Sequence, residues 1–374
     1  MTNRFFPEIH GRFGFGCMRL PMIGKDVDLP QYCEMVDAFL DAGFNYFDTA
    51  HGYIGGKSEL AIREGLSKRH PRESFILTDK LTANYFKTEA DIRPFFESQL
   101  EACGVEYFDF YLMHAQGRDV YPKFRRCNAY ETALKLKEAG KIRHFGISFH
   151  DKPEVLDRIL TDYPQIEVVQ IQFNYLDYED ASVESRAVYE TAAKHGKPVI
   201  VMEPVKGGAL ATLPEEAQKC IDALGGSAAS YALRFAAGFE NMAMVLSGMS
   251  TLEQLRENVG FMADFKPLNA QEMEAIEDVR RVFASFTDLI PCTSCHYCVL
   301  ENECPKGIRI PELFSCMNQK TIFHSWNQNF YYDIQTRERG KASDCIRCGM
   351  CEKVCPQHLP IRELLQKVAA EFEK

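Results

Sequence analysis

Phe44-Asn-Tyr-Phe-Asp48-Thr-Ala-His-Gly-Tyr53-Ile-Gly-Gly-Lys-Ser58-Glu-Leu-Ala-Ile-Arg-Glu-Gly-Leu-Ser-Lys68 is the stretch that decides the fold. A short β-forming run closes on an Asp, glycines make a turn, and a segment of helical period follows. The same alternation recurs from about residue 13 to 262. Strand candidates are Phe13–Cys17, Phe44–Asp48, Ser74–Thr78, Phe108–His114, Ile142–Ser148, Val168–Phe173, Pro198–Met202 and Met244–Gly248. Helical segments fall between them at Gln31–Ala42, Ser58–Lys68, Glu89–Cys103, Ala129–Ala139, Val155–Thr161, Val183–His195 and Ala228–Ala236, and Leu252–Met262 follows the last strand. Eight strand–helix units whose strands are apolar on both faces read as an α/β fold, a (β/α)8 TIM barrel. A doubly wound open sheet competes, but no G-x-G-x-x-G turn opens the first helix.

Beyond the barrel, Asn269-Ala-Gln-Glu272 has the form of a capping box and opens a helix expected to reach about Phe283. Two cysteine runs follow, Cys292-x-x-Cys295-x-x-Cys298-x5-Cys304-Pro305 and Cys345-x-x-Cys348-x-x-Cys351-x-x-x-Cys355-Pro356. The second has the bacterial ferredoxin spacing, and the first differs by two extra residues before its last Cys. Eight thiolates suit two [4Fe–4S] clusters. In two-cluster ferredoxins the Cys before Pro serves the other cluster, which predicts the sets Cys292, Cys295, Cys298, Cys355 and Cys345, Cys348, Cys351, Cys304. A structural zinc would leave the third Cys of each run idle. Pro311–Gln319 and Ile361–Phe372 have helical period, so the tail is expected to be a small, mainly helical ferredoxin-like domain. The resulting division is 1–265 barrel, 266–289 linker helix and 290–374 iron–sulfur domain. No repeat of solenoid length is present.

The 374 residues are 46% hydrophobic and 26% charged, ordinary for a globular chain, with a net charge of −10. That balance argues against nucleic acid or an anionic membrane as partner. No apolar stretch is long enough to span a bilayer. Fourteen cysteines behind an N-terminus without a signal-peptide core lead to the expectation of a reducing cytoplasm.

Polar groups stand where barrel strands end, the active face of such folds. Asp48 closes the second strand, Lys80 follows the third in Leu77-Thr-Asp-Lys80, and His114 closes the fourth in Tyr111-Leu-Met-His114. With Tyr53 five residues beyond Asp48, and Gly56-Lys-Ser-Glu59 after it, residues 10 to 265 resemble the aldo-keto reductases. The cysteine tail makes the whole similar to a bacterial and archaeal subgroup of predicted oxidoreductases that joins such a barrel to a ferredoxin-like module. The resemblance implies a catalytic tetrad of Asp48, Tyr53, Lys80 and His114. Chemically, Tyr53 supplies a proton, the Lys80 ammonium favours its phenolate, Asp48 holds Lys80 charged, and His114 donates to the carbonyl oxygen. Taken singly, each has a plainer role as a cap, a surface charge or a structural histidine.

The resemblance further implies a nicotinamide cofactor, NADP(H) or NAD(H). Its carboxamide is expected near Ser148, Gln170 and Asn174. Gly16, Cys17 and Met18 would lie beside the nicotinamide, with Arg19 just beyond and Met202 in the place of a stacking aromatic. Gly207 and Gly208 would meet the pyrophosphate, and Glu257 and Asn258 the adenine. Phe149 stands where the family has Asn. Gly248 and Gln254 stand at a basic pair that holds a 2′-phosphate, for which Arg256 or Lys206 are candidate substitutes. The expected partners are a small carbonyl or alcohol substrate and, through the clusters, a ferredoxin or flavoprotein. The competing reading is a cofactor-loaded docking, redox-sensing or electron-transfer protein with a non-catalytic barrel. Substrate contacts are expected from the loop Ala115–Asn128, with Tyr121, Phe124, Arg125 and Arg126, and from the loop after Met202. The aromatics Trp326, Phe330, Tyr331 and Tyr332 line a pocket or fill the small core.

Overall fold

The structure is a computed structural model and describes residues 3–180, 183–286, 288–300, 304–323 and 327–374. The chain divides into two compact units. One comprises Met1–Val205 and Ala229–Leu268, the other Lys206–Ala228 and Asn269–Lys374.

In the first unit eight parallel strands close on themselves: β1 Phe13–Gly16, β2 Tyr46–Asp48, β3 Ile76–Leu81, β4 Phe108–Gln116, β5 Ile142–Phe149, β6 Val168–Gln172, β7 Val199–Met202 and β8 Met242–Ser247. Each pairs with its chain neighbours, and β1 meets β8 with Phe13 opposite Val245. Closure leaves no free edge, so nearly continuous apolar strands are tolerated. The barrel helices are α1 Leu29–Asp41, α2 Lys57–Ile62, α3 Glu89–Cys103, α4 Ala129–Glu138, α5 Pro153–Asp162, α6 Ser185–Lys194, α7 Ala228–Ala237 and α8 Leu252–Ala263. Helix α1 shows the local logic. Asp28 accepts from the Gln31 amide, Pro30 occupies the first turn, and Tyr32, Met35, Val36 and Phe39 make one buried stripe. The N-terminal segment plugs the barrel. Phe6 and Ile9 pack with Phe110, Val168 and Met244, and Asn3 donates to the Ala243 carbonyl at 2.6 Å.

Two expectations need correction. Lys80 does not follow the third strand but lies inside it, because β3 runs three residues past Thr78. A polar pair reads as a turn, yet in a closed cylinder Lys80 faces the axis and Asp79 the helix layer, and both are buried. The stretch 115–128 is not an open loop. It holds a helix, Tyr121–Arg126, whose Tyr121 and Phe124 are buried in the core beside Tyr130 rather than offered to a ligand. Arg125 pairs with Asp162.

The second unit is helical. Its α9 Ala270–Ser285 begins at the expected box, with Asn269 and Glu272 exchanging side-chain and backbone hydrogen bonds of 2.8 and 3.0 Å. Helices α10 Ile310–Phe323, α11 Asn327–Thr336 and α12 Ile361–Phe372 follow. Ile308, Ile310, Phe314, Leu359, Ile361 and Leu365 form their core. Helix α11 was not legible beforehand. On it Tyr332 is buried, with its hydroxyl bonded to Glu373 and to the Ala342 amide, whereas Tyr331 is exposed. Trp326 and the Phe330 side chain lie outside the described residues. Among the described residues no helix is long and apolar enough to cross a membrane.

Candidate active site

The barrel strands bring Asp48, Lys80 and His114 together with Tyr53, which sits on a tight turn at Tyr53–Gly56. Positive φ at Ile54, Gly55 and Gly56 lets the chain fold that turn against β2. Lys80 is fully buried. Its Nζ donates to Asp48 Oδ1 at 2.6 Å, to the Thr49 carbonyl at 2.7 Å and to the Tyr53 hydroxyl at 3.2 Å. Burial pushes this lysine down, but the Asp48 carboxylate and Tyr53 outweigh it and hold it above its ordinary value, so the ammonium is the interior species. Asp48 Oδ2 accepts from Gln170 Nε2 at 2.9 Å. Both carboxylate oxygens are therefore committed, one to the lysine and one to β6.

His114 stacks edge-on to Tyr53 with ring centroids 6.2 Å apart. Burial first, then Lys80 and His150, push the imidazole well below its ordinary value, so it is neutral. Thr82 Oγ1 stands 2.6 Å from His114 Nδ1. A threonine hydroxyl donating there leaves the proton on Nε2, the tautomer able to donate toward a ligand oxygen. Sequence reasoning missed Thr82. Its signal was a hydroxyl two residues beyond Lys80.

Behind β3 lies a second buried layer that the sequence did not reveal. Gln99 Nε2 bridges Asp79 Oδ1 at 3.0 Å and Glu59 Oε1 at 3.3 Å, while Glu59 Oε2 meets His51 Nδ1 at 2.8 Å. Burial raises both carboxyls, Glu59 to about 7 and Asp79 well above its ordinary value. Asp79 also accepts from the Lys80 amide at 2.7 Å, so this layer braces the lysine from outside the barrel.

The expected nucleotide residues are distributed as follows. Gly16 lies opposite Asp48, and the Cys17 amide donates to the Asp48 carbonyl. The Cys17 thiol is fully buried and pushed up to about 12 by that burial, so it is inert. Met18 and Met202 are half-buried. Ser148 and Gln170 stand side by side in the β5–β6 register, a hydroxyl and an amide with the donors and acceptors that a carboxamide needs. Asn174 is turned away into its own turn. Its Nδ2 donates to Asp177 and to the Glu203 carbonyl, and its Oδ1 accepts from the amides of Leu176 and Asp177. Gln254 accepts from the Ser250 amide in the first turn of α8. Asn258 is buried and donates to Ser247, and Glu257 is exposed. The Arg19 side chain covers Gly248, where a Cβ would stand 3.3 Å from it, and approaches Glu203 at 3.7 Å. Gly207 and Gly208, at φ +65° and +102°, belong to the second unit.

In that unit Cys292, Cys295, Cys298 and Cys355 line one pocket, walled by Ile310, Phe314, Leu359 and Ile361. Burial raises both the Cys298 and the Cys351 thiols; Cys295, Cys292, Cys355 and Cys351 lie near enough to add to the first shift, and Glu352, Cys345 and Cys348 to the second. Cys304 packs against the same core. Residues 301–303, in the segment that carries the two extra residues, lie outside the described residues. Ser294, His296, Arg347 and Gly349 all adopt positive φ, the left-handed backbone from which anion-binding nests of N–H groups are built. The residues fit the iron–sulfur reading.

Two family models match the chain: the Aldo/keto reductase family over residues 12–281 and the 4Fe-4S dicluster domain over residues 291–360. The 4-dihydromethyl-trisporate dehydrogenase of Mucor mucedo is 30% identical over 195 residues, 44% of this chain and 57% of that protein. Human aldo-keto reductase family 1 member C2 is 25% identical over 302 residues, 72% of this chain and 87% of that one. The NADH-specific methylglyoxal reductase of Escherichia coli is 28% identical over 44% of this chain and 56% of its own. The chain thus spans little more than half the length of two of these three relatives. Among solved structures, the holo form of an aldo-keto reductase from Bacillus halodurans superposes with a TM-score of 0.59 at 25% identity, covering 72% of this chain and 91% of its own. An aldo-keto reductase from Klebsiella pneumoniae in complex with NADPH shares the fold at a TM-score of 0.59 and 19% identity, over 72% and 90% of the two chains. The chain belongs to the aldo/keto reductase family, with a 4Fe-4S dicluster domain following the barrel.

Proposed function

We propose that this chain is an NAD(P)H-dependent oxidoreductase that interconverts a carbonyl and an alcohol by hydride transfer, with its clusters exchanging electrons with a separate carrier protein. The observation that carries the reading is the buried ammonium of Lys80 held between Asp48 and the Tyr53 hydroxyl. Bound NAD(P)H supplies the hydride. The chain's own residues handle the proton and the developing charge. Tyr53 gives its proton to the carbonyl oxygen as negative charge grows there. Lys80, fixed by Asp48 and the Thr49 carbonyl, stabilises the phenolate left behind. Neutral His114, oriented by Thr82, donates from Nε2 to the same oxygen. In the oxidative direction the phenolate takes the alcohol proton. The nicotinamide carboxamide is assigned to Ser148 and Gln170. Two cluster sites with four thiolates each are assigned to Cys292, Cys295, Cys298, Cys355 and to Cys345, Cys348, Cys351, Cys304.

Anaerobic screening of aldehydes, ketones and sugars with both nicotinamides tests the reading, with Tyr53→Phe as comparison. A general acid contributes about 10²–10⁴ in rate, so kcat falls by that factor while nucleotide affinity is kept. Unchanged turnover in Tyr53→Phe removes the proposal.

A further inference from the structure

The two cysteine runs of the second unit are near copies in backbone and unlike in cover. Ser294 and Arg347 take the same left-handed position between the first two cysteines of each run, at φ 52° and 59°, and His296 and Gly349 the same position after the second, at 62° and 75°. Each run then enters one helical turn, Tyr297–Leu300 or Met350–Lys353. After the last Cys the copy continues: the Gly307 and His358 amides donate to the Cys304 and Cys355 carbonyls, and helices α10 and α12 follow. Yet Thr293 is 2% exposed and its counterpart Ile346 57%, while Cys295 is half-buried and Cys348 exposed. Part of the cause lies in the same unit. The Lys206–Gly208 turn covers the first loop so closely that a Cβ on Gly207 would stand 2.4 Å from the Thr293 carbonyl oxygen. The second loop keeps the same backbone and leaves its apolar residue in water.

Charge distinguishes the second loop as well. From Arg337 to Lys353 the exposed side chains are five cations (Arg337, Arg339, Lys341, Arg347, Lys353) and two carboxylates, in a chain of net charge −10. Glu352 does not alter the balance, because Arg362 pairs with it at 2.7 Å. We propose that the Cys345–Cys348 loop is the docking surface for an acidic one-electron carrier protein, with Ile346 as the apolar contact and Lys341, Arg347 and Lys353 as the basic rim. This rests on the carrier coupling proposed above and is independent of the carbonyl chemistry. Interfaces of redox carriers are small and transient, and complementary charge sets their encounter rate. The cluster that Cys345, Cys348, Cys351 and Cys304 would hold would gain the one electron that the reduced carrier loses. No bond forms and no proton is required. The covered first loop offers no equivalent approach, so the second run is the port.

The test uses the full, cluster-loaded chain, prepared anaerobically and mixed with a reduced plant-type ferredoxin as the acidic probe. Bleaching of the cluster absorbance gives the second-order rate constant. Arg347→Glu with Lys353→Glu lowers it roughly tenfold or more at low salt, and the difference closes as salt screens the charges. Arg4→Glu, on an exposed barrel position, leaves it unchanged. Affinity for the oxidised ferredoxin, measured by titration, falls in parallel. Reduction by dithionite, which needs no docking surface, stays the same, and iron and sulfide analysis confirms loading. If Arg347→Glu loses iron, Lys341→Glu, outside the cysteine loop, gives the same measurement. A fully loaded, charge-reversed chain with an unchanged ferredoxin rate overturns the proposal, as does an equal loss in Arg4→Glu. Absence of carbonyl turnover alongside a charge-sensitive ferredoxin rate would sink the catalytic reading and leave this one standing.

Discussion

Asp48→Asn offers the sharpest test of the site's electrostatics. Lys80 is fully buried, and its Nζ lies 2.6 Å from Asp48 Oδ1. Without the carboxylate the chain must either keep an unbalanced ammonium in its interior or release the proton. Breaking a buried pair by removing one partner costs about 3–5 kcal/mol. Releasing the proton means bringing a lysine from its reference value of 10.5 to below neutral, which at about 1.4 kcal/mol per unit comes to roughly 5 kcal/mol. The two routes agree, and both far exceed the ~1 kcal/mol or less of an exposed pair. Urea unfolding followed by circular dichroism at pH 7 should therefore show Asp48→Asn less stable by about 3–5 kcal/mol. Adding Lys80→Met should restore at least about 2 kcal/mol relative to the sum of the single changes, because the stranded charge is gone. The sign with pH follows from a raised lysine: its contribution is complete below the ordinary lysine range and is lost as pH climbs through the higher folded value. A loss below about 1 kcal/mol in Asp48→Asn, with no recovery in the double variant, would refute the argument.

Glu59 is held up to about 7 by burial, so its share of stability is complete below about pH 4.5 and drains away as pH rises toward 7. Glu59→Gln should flatten the melting temperature between pH 5 and 8 and raise stability at pH 8 by up to about 3.4 kcal/mol; an unchanged slope would count against the buried-carboxyl account. Cys355→Ser should remove the cluster of the first run and roughly half the iron, with Cys304→Ser removing the other half; a variant that keeps full iron would show that the cross-run pairing is wrong.

Strand positions and the ordered set Asp48, Tyr53, Lys80, His114 were legible because barrel strands repeat one period and their ends carry the polar groups. What stayed hidden depends on contacts between distant segments. Asp79-Lys80 reads as a strand terminus, and the closed cylinder that buries both residues on opposite faces is invisible in a local window. Tyr121 and Phe124 look like binding-loop aromatics until Tyr130 is known to pack on them. Nothing in the composition of residues 206–228 marks them as part of the second unit. The left-handed backbone at Ser294, His296 and Arg347 carries no signal either, since glycine, its usual marker, is present in one of the four equivalent places. The 4Fe-4S domain was the easiest to read, because the spacing of its cysteines is itself the signature.

The seam between β1 and β8 has a consequence for biosynthesis. Phe13–Gly16 is made more than two hundred residues before Met242–Ser247. At ~5–20 residues per second the ribosome leaves that edge without its mate for roughly 10–50 s. An unmated apolar strand edge is a template for association with other nascent chains. Heterologous expression should therefore benefit from holdase chaperones and from a slower initiation rate, which spaces the growing polypeptides apart until the seam is sealed.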